Sequence, residues 1–295
     1  MKNKRSILDV LPEINWDSVA PPYLNYPYFQ GAETYPFRPQ ADGFDMVNAW
    51  WLIEASTLAY AEADFAKEKF QRAGLPEIKF FSGKSTQCYV AHNDDFLILV
   101  FRGTEIRQQA DRSDFINIIA DLAADANIAL VKSGQGGKVH QGFKAALNEV
   151  WEKEGLLDYL KTKDNARRTF WFAGHSLGAA LVTLAARRYS QVRGLYTYGS
   201  PRVGDRGFKQ AFSVPHYRFV NHDDIVTRVP PPLFYQHVGD LKYIDGQGLL
   251  RRKPEEGKIG EILSVLKACC DDLIPSAIVD HVPTLYATHI WNNIP

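Results

Sequence analysis

The sequence predicts an α/β fold, with a largely parallel central sheet and helices on both faces. Short apolar or β-branched runs, such as the FLILVF run from Phe96 to Phe101, alternate with helical segments along the chain. The run from Phe96 to Phe101 is apolar throughout, as a central buried strand should be. The 295 residues, 45% of them hydrophobic, suffice for one large core. We therefore expect a single domain over residues 1–295.

The elements follow in order. Residues 11–44 are rich in Pro, Tyr and Asn, and we expect residues 1–43 to form an N-terminal arm that wraps the core. Apolar residues at helical spacing predict a helix over Phe44–Lys69 and another over Thr284–Trp291. The predicted strands are Lys79–Tyr89, Phe96–Phe101, Thr169–Ala173, Gly194–Tyr198 and His216–Val220.

Composition excludes several classes of protein. Lys and Arg total 34, as do Asp and Glu, so the formal net charge is zero and no nucleic acid partner is expected. Three cysteines, two of them adjacent, cannot build a disulfide framework. No apolar run approaches the length of a membrane span, and the first residues do not resemble a signal peptide. The default expectation is a cytoplasmic protein, or a secreted one if a leader has been removed.

The most informative motif is Gly174-His175-Ser176-Leu177-Gly178, which has the G-x-S-x-G form of a nucleophile elbow. By itself this form is a weak signal, but a predicted strand precedes it and a run of good helix formers follows it. A strand, tight turn and helix would raise the hydroxyl of Ser176 above the sheet edge. The two glycines would leave room for a strained backbone. The motif therefore predicts a serine nucleophile.

A serine hydroxyl needs a base to remove its proton and a carboxylate to orient that base. In α/β enzymes that use this turn, the chain order is Ser, then Asp or Glu, then His. Asp223 and Asp224 directly follow a predicted strand, where an α/β sheet places its chemistry. Three histidines come after them, and position favours His281 over His237 and His289 without excluding either.

The chain resembles the class 3 lipases, the fungal-type lipase family of the α/β-hydrolases, over roughly residues 44–295. Each matching signature is moderately specific, and their shared order is highly specific. The signatures are Val100–Glu105 (VFRGTE), Val139–Phe143 (VHQGF), Ala173–Ala180 (AGHSLGAA), Tyr198–Asp205 (YGSPRVGD), Asn221–Val226 (NHDDIV), Val229-Pro230, Tyr235–Gly239 (YQHVG) and Asp280-His281.

This resemblance implies an α/β-hydrolase fold and specific roles for the candidate residues. It assigns the catalytic acid to Asp224, which precedes Ile-Val, and the base to His281 in the Asp-His pair. An oxyanion hole needs fixed N–H donors, and the family would supply them from Leu177, after the nucleophile, and from Thr104. His140, His175 and His237 fall in scaffold motifs, so a structural role is expected for each.

Two segments depart from the family pattern. Residues 105–138 occupy the position of the family's lid, and Asp114–Asp125 would form a helix with one apolar face. That helix would either cover the acyl site as a lid or pack permanently on the core. Residues 248–278 form an insert before His281 that would pack on the core, wall the acyl pocket or touch lipid.

These observations predict a serine carboxylic-ester hydrolase of triacylglycerol lipase type, with the triad Ser176, Asp224 and His281. Its partners would be a lipid or other acyl ester and, transiently, a lipid surface. No metal or cofactor is expected, because no His, Cys and Asp cluster has ligand spacing. The rivals are an esterase, phospholipase, feruloyl-type esterase or acyltransferase of the same fold, and a lipase-like binding module without catalysis. The sequence predicts neither chain-length preference nor oligomeric state.

Overall fold

A computed structural model of the chain describes residues 3–104, 116–117, 119–120, 129–165, 167–251 and 274–295. Within these residues an eight-stranded sheet has the order β1-β2-β3-β6-β7-β8-β9-β10, and β4 pairs with β5 in a small second sheet. The strands are β1 (Glu77–Ser82), β2 (Gln87–His92), β3 (Phe96–Phe101), β4 (Leu130–Lys132), β5 (Lys138–His140), β6 (Thr169–His175), β7 (Val192–Tyr198), β8 (His216–Asn221), β9 (Asp240–Ile244) and β10 (Leu250–Arg251).

The centre of the sheet is parallel, from β3 through β6, β7 and β8 to β9. Antiparallel pairs close both edges, with β1 and β2 on one side and β10 on the other. The expectation of a largely parallel central sheet is therefore confirmed. Parallel strands end at the same edge of a sheet, so loops after β3, β6, β7 and β8 meet there.

Helices cover both faces of the sheet. The helices are α1 (Ile7–Val10), α2 (Trp16–Val19), α3 (Met46–Leu58), α4 (Ala63–Arg72), α5 (Gln141–Asn148), α6 (Leu156–Lys163), α7 (Leu177–Arg188), α8 (Arg206–Ala211), α9 (Ser276–Val279) and α10 (Pro283–Asn293). A π-helical turn over Glu149–Lys153 and a 3₁₀ turn over Ile225–Arg228 complete the regular structure of the described residues.

Strand β3 shows how the two apolar cores are divided. Leu97, Leu99 and Phe101 point into the core that contains α5, α6 and α7. The alternate residues of the strand, together with Trp171 of β6, point into the core that contains α3 and α10. A strand buried on both faces favours apolar residues on both, and β3, with the sequence FLILVF, is apolar at every position.

Two predicted elements are interrupted in the structure. The helix expected over Phe44–Lys69 ends at Leu58 and resumes at Ala63, which leaves Tyr60 outside helical geometry. The strand expected over Lys79–Tyr89 is a hairpin, in which the N–H of Gly83 donates to the carbonyl of Thr86 at 2.8 Å. Hydrophobic periodicity does not encode such breaks when no proline marks them.

The N-terminal segment (residues 3–43) lies against α3 and α10. Arg5 exchanges two hydrogen bonds with Asn292 of α10, at 2.8 and 2.9 Å. Its guanidinium lies 3.1 Å from the fully buried carboxylate of Glu54 in α3, which also accepts from Tyr26 and the backbone of Phe29. A buried carboxylate is stable only when it is paired in this way, so these contacts fix both ends of the segment.

Two segments depart from the family pattern, residues 105–138 and 248–278. Most of each segment lies outside the described residues. Of the expected helix Asp114–Asp125, the structure describes residues 116, 117, 119 and 120, and Ile119 is buried in the core beside α5. The insert is described at residues 248–251 and 274–278. In the part of the chain that the structure describes, every helix is too short or too polar to cross a lipid bilayer.

Candidate active site

Ser176 lies at the sharp turn between β6 and α7, at the carboxyl edge of the parallel sheet. Its φ of 58° and ψ of −130° are values that non-glycine residues rarely adopt, and such strain costs about 1–3 kcal/mol. A hydrogen bond of 3.0 Å from its N–H to the carbonyl of Tyr198 in β7 holds the turn in place. The strand, strained turn and helix have the geometry of a nucleophile elbow.

The glycines at either side of Ser176 are required by close packing. A Cβ built on Gly174 would lie 2.5 Å from the backbone of Gly178. A Cβ on Gly178 would collide with the carbonyl oxygen of Phe101 at the end of β3. The motif thus presses β6, α7 and β3 together at the point where the serine emerges.

Asp224 and His281 meet although 57 positions separate them in the sequence. Both carboxylate oxygens of Asp224 lie 2.9 Å from Nδ1 of His281. Asp224 is fully buried and His281 is 6% exposed. This carboxylate–imidazole pair, with Nδ1 toward the acid, is the arrangement that orients a histidine as a base.

The neighbouring candidates lie elsewhere. Asp223 faces solvent and pairs with Arg228 at 2.7 Å. His237 is partly buried, with Nε2 2.8 Å from the carbonyl of Thr227, and desolvation lowers its pKa well below the usual value. His289 lies in α10, near Gly248. Of these alternatives, none contacts Asp224 in the hydrogen bonds of the described residues.

Tyr286 is a partner of Asp224 that the sequence did not reveal. Its hydroxyl donates to Oδ2 of Asp224 at 2.7 Å and accepts from the N–H of Asn221 at 2.9 Å. Burial, followed by the charge of Asp224, raises the pKa of Tyr286 well above its usual value, so the phenol remains a donor. A tyrosine in an apolar helix five residues after the histidine carries no motif that would mark this role.

Gly199 is a second residue whose role became visible only in the structure. It follows β7 with φ of 58°, and a Cβ there would lie 2.7 Å from Asp224 Oδ2 and 2.8 Å from His281 Nδ1. The acid–base pair therefore packs directly over this glycine. Its place at a strand end, within the quoted motif Tyr198–Asp205, was the available signal.

The loops that carry Asp224 and His281 are also tied together. Asp280 Oδ2 lies 3.0 Å from His222 Nδ1 and accepts from the N–H of Asp223 at 3.1 Å. The side-chain amide of Asn221 donates to the carbonyl of Asp280 at 2.9 Å. These contacts hold the three residues that precede Asp224 against the residue before His281.

His175 bridges the elbow to the loop of His281. Its Nε2 lies 2.7 Å from the carbonyl oxygen of His281, and its Nδ1 lies 2.9 Å from the hydroxyl of Tyr60. A carbonyl only accepts, so Nε2 carries the proton and Nδ1 accepts from the tyrosine. Burial, and then the nearby His281, lower the pKa of His175 well below its usual value, which keeps the ring neutral.

One cleft brings the candidate residues together. Ser176, His281 and Thr104 all line it, as do His175 and Tyr60. Thr104 follows Gly103, which packs against Tyr60 and His175 so closely that a Cβ would clash with both. Leu177 begins α7, where backbone N–H groups and the positive end of the helix dipole favour a developing negative charge.

The remaining wall of the cleft is apolar. Ile278, Val282 and Pro283 flank His281, while Val19 and Pro21 come from the N-terminal segment. Among the described residues no group of three or more His, Cys, Asp or Glu side chains is placed to hold a metal ion. The side chains present can remove a proton from a serine, orient the base and surround an apolar substrate.

Comparison with known proteins gives the site a family context. The model of the class 3 lipase family matches residues 98–234. A lipase of Rhizomucor miehei is 30% identical over 215 residues, which cover 67% of this chain and 54% of the relative. A secreted mono- and diacylglycerol lipase of Fusarium solani is 38% identical over 120 residues, covering 38% of this chain and 35% of the relative.

Solved structures agree with this context. A triacylglycerol lipase described as having a serine protease triad at its catalytic centre superimposes with a TM-score of 0.53 and 28% identity. That alignment covers 67% of this chain and 79% of the other. The chain spans about half the length, or less, of the curated relatives it matches. The ordered motifs, the α/β-hydrolase sheet and these matches together establish that the chain belongs to the class 3 lipase family.

Proposed function

We propose that this protein is a serine carboxylic-ester hydrolase of triacylglycerol lipase type. One observation carries the proposal: Ser176 on a strained elbow lines the same cleft as His281, which pairs with the buried Asp224 at 2.9 Å. A protein that only bound lipid would have no chemical need for this combination. The names of the fungal relatives, a lipase and a mono- and diacylglycerol lipase, support a lipid ester as substrate.

In the proposed reaction, His281 takes the proton of Ser176 as the serine oxygen attacks the ester carbonyl. Asp224 orients His281 and stabilises the imidazolium, while the phenol of Tyr286 keeps the carboxylate aligned. The N–H groups of Thr104 and Leu177 would hold the oxyanion. His281 then protonates the leaving alcohol, and water releases the acyl group by the same steps in reverse.

The decisive experiment compares the unaltered protein with Ser176→Ala. Triad residues act as a unit, so the variant should lose on the order of 10⁴ or more in kcat while its circular dichroism spectrum stays unchanged. A phosphonate ester should label Ser176 alone in the unaltered protein. Substantial turnover by the folded Ser176→Ala variant, or labelling at another residue, would contradict the proposed mechanism.

The substrate class is tested with a panel of esters. We expect hydrolysis of p-nitrophenyl acyl esters and of emulsified triglyceride. Turnover of a phospholipid or a feruloyl ester in preference to these would move the protein to one of the rival activities of the same fold. A folded protein that is not labelled at Ser176 and hydrolyses no ester would be a binding module instead.

The expectation of a cytoplasmic location has no support from the relatives, since the Fusarium solani protein is named as secreted. We infer the secreted alternative. Detection of the protein in the culture medium of its source, with an intracellular marker absent there, tests this inference.

A further inference from the structure

The N-terminal segment contributes to the cleft from outside the region that the family model matches, residues 98–234. Val19, the last residue of α2, and Pro21 line the same cleft as Ser176, Thr104 and His281. The family match therefore does not account for this part of the wall.

Apolar contacts and hydrogen bonds fix this wall in place. Val19 is 5% exposed and lies in a small apolar cluster with Leu11, Val282 and Leu285, the last two following His281. The hydroxyl of Tyr23 donates to the carbonyl of Val19 at 2.7 Å. Reciprocal hydrogen bonds between Asn15 and Ser18 hold the start of α2. The backbone and side chain of Val19 are thus both fixed beside the loop of the base.

The segment is also anchored on both sides of this wall. Arg5 binds Asn292 and Glu54, and Tyr26 and Phe29 bind the same Glu54. A wall fixed in this way presents a defined surface, so it can discriminate between ligands by size. Val19 and Pro21, with Ile278, Val282 and Pro283, make that surface apolar.

We propose that Val19 and Pro21 form part of the acyl-chain wall of the active-site cleft and set the acyl-length preference of the enzyme. This inference rests on the proposed function. The apolar part of a lipid ester is its hydrocarbon chain, and an apolar wall beside the nucleophile contacts the part of that chain nearest the reacting carbonyl. A change of one methylene in such a contact alters kcat/KM by roughly tenfold or more.

The test measures the ratio of kcat/KM for p-nitrophenyl octanoate to that for p-nitrophenyl acetate. Val19→Phe narrows the cleft and should lower this ratio by roughly tenfold or more, while Val19→Ala widens it and should raise the ratio. The matched control is Ile7→Phe, because Ile7 lies in the same segment, carries a β-branched side chain and is 42% exposed. That variant should keep the parental ratio.

The readout separates a selective wall from simple packing under His281. A packing role predicts that Val19 variants lose activity equally on all acyl lengths, and this result would overturn the proposal. A second series of acetates with alcohols of increasing length tests the other side of the ester. If Val19 variants shift only that series, the wall faces the alcohol and the inference is wrong.

Phosphonate labelling of Ser176 counts competent sites in each variant, so partial misfolding does not distort the ratio. If the unaltered protein hydrolyses no ester and is not labelled at Ser176, the proposed function fails and this inference falls with it. If it hydrolyses esters with a ratio that Val19→Ala and Val19→Phe leave unchanged, the inference alone fails.

Discussion

His281 is held at three separate atoms. Its Nδ1 lies 2.9 Å from both oxygens of Asp224, its carbonyl oxygen lies 2.7 Å from His175, and its N–H donates to Ile278 at 3.1 Å. The ring and the backbone are therefore positioned independently. Such double fixing is what a general base needs, because a small misplacement of a catalytic group lowers the rate steeply.

We expect His281→Ala to be far more damaging to catalysis than His237→Ala or His289→Ala. The first variant removes the only one of these three rings that pairs with Asp224 among the described contacts, so kcat should fall on the order of 10³-fold or more. His237→Ala removes a partly buried ring bonded to Thr227 and should reduce stability instead. Steady-state kinetics with thermal unfolding of each variant check this. An inactive, folded His289→Ala would show that the base is misassigned.

Some residues of the site could be predicted from the sequence, and others could not. Ser176 stands in a local motif, and Asp224 and His281 follow from chain order and family resemblance. Tyr286, Gly199 and the hydroxyl of Tyr60 meet the site through contacts that span many positions, as in the pair Tyr60 and His175, 115 residues apart. Chain order does not encode such meetings, since they depend on how the sheet stacks its loops.

The turn after β7 is an element whose shape the acid–base pair requires. A Cβ on Gly199 would approach Asp224 and His281 to under 3 Å, and φ there is 58°. We expect Gly199→Ala to push the pair apart and lower kcat by roughly 100-fold or more, since misplacement of catalytic groups has effects of this size.

The matched control is Gly155→Ala, at the start of α6. Gly155 has φ of 73°, so the backbone strain is alike, but no atom lies within 4 Å of its virtual Cβ. Both variants should lose about 1–2 kcal/mol of stability, and only Gly199→Ala should lose activity. Kinetics and urea unfolding measure the two effects, and equal activity in both variants would contradict the steric account.

The start of α5 predicts a pH dependence of stability. His140 caps this helix, with Nδ1 accepting from the N–H of Phe143, and burial lowers its pKa to about 4. The unfolded histidine has a pKa of about 6.5. The folded value is depressed, so the stabilisation is complete above pH 6.5 and is lost as pH falls through 4.

We expect His140→Asn to flatten this loss. Asparagine is a good N-cap and does not titrate, so the helix start is preserved while the proton uptake on unfolding disappears. The slope of stability between pH 6.5 and 4 should fall by up to about 1.4 kcal/mol per pH unit, a limit that partial exposure of the ring reduces. Urea unfolding at several pH values measures the slope. Parallel curves for the two proteins would contradict the prediction.

Elements with strong patterns were predicted well, and their interruptions were not. β3 and β6 follow from apolar runs, because a strand covered on both faces favours apolar residues at most positions. The break between α3 and α4 lies in residues without proline or glycine. It lets Tyr60 reach His175, so a tertiary contact rather than local propensity accounts for it.

At the scale of the whole molecule, the N-terminal segment joins the cleft to the surface. Val19 lines the cleft, whereas Leu8, Ile14 and Leu24 of the same segment are 70%, 61% and 59% exposed. Exposed apolar side chains gain free energy when a lipid surface covers them. One face of the segment would then contact the acyl chain of the bound substrate, and the other face would contact the lipid surface that supplies the substrate.

We therefore expect Ile14→Ser combined with Leu24→Ser to weaken adsorption to lipid without disturbing the chemistry. Burying a large apolar side chain contributes roughly 1.5–3 kcal/mol, so losing two even partly buried contacts should lower the rate on emulsified triglyceride by about tenfold. The rate on p-nitrophenyl acetate in solution should stay at the parental value, because neither residue lines the described cleft.

Leu249→Ser, on the turn between β9 and β10, replaces an exposed leucine outside the segment and serves as the control. The rates on both substrates and the flotation of the protein with triglyceride droplets on centrifugation test this prediction. An unchanged rate and unchanged flotation of the double variant would show that the enzyme reaches lipid through another surface.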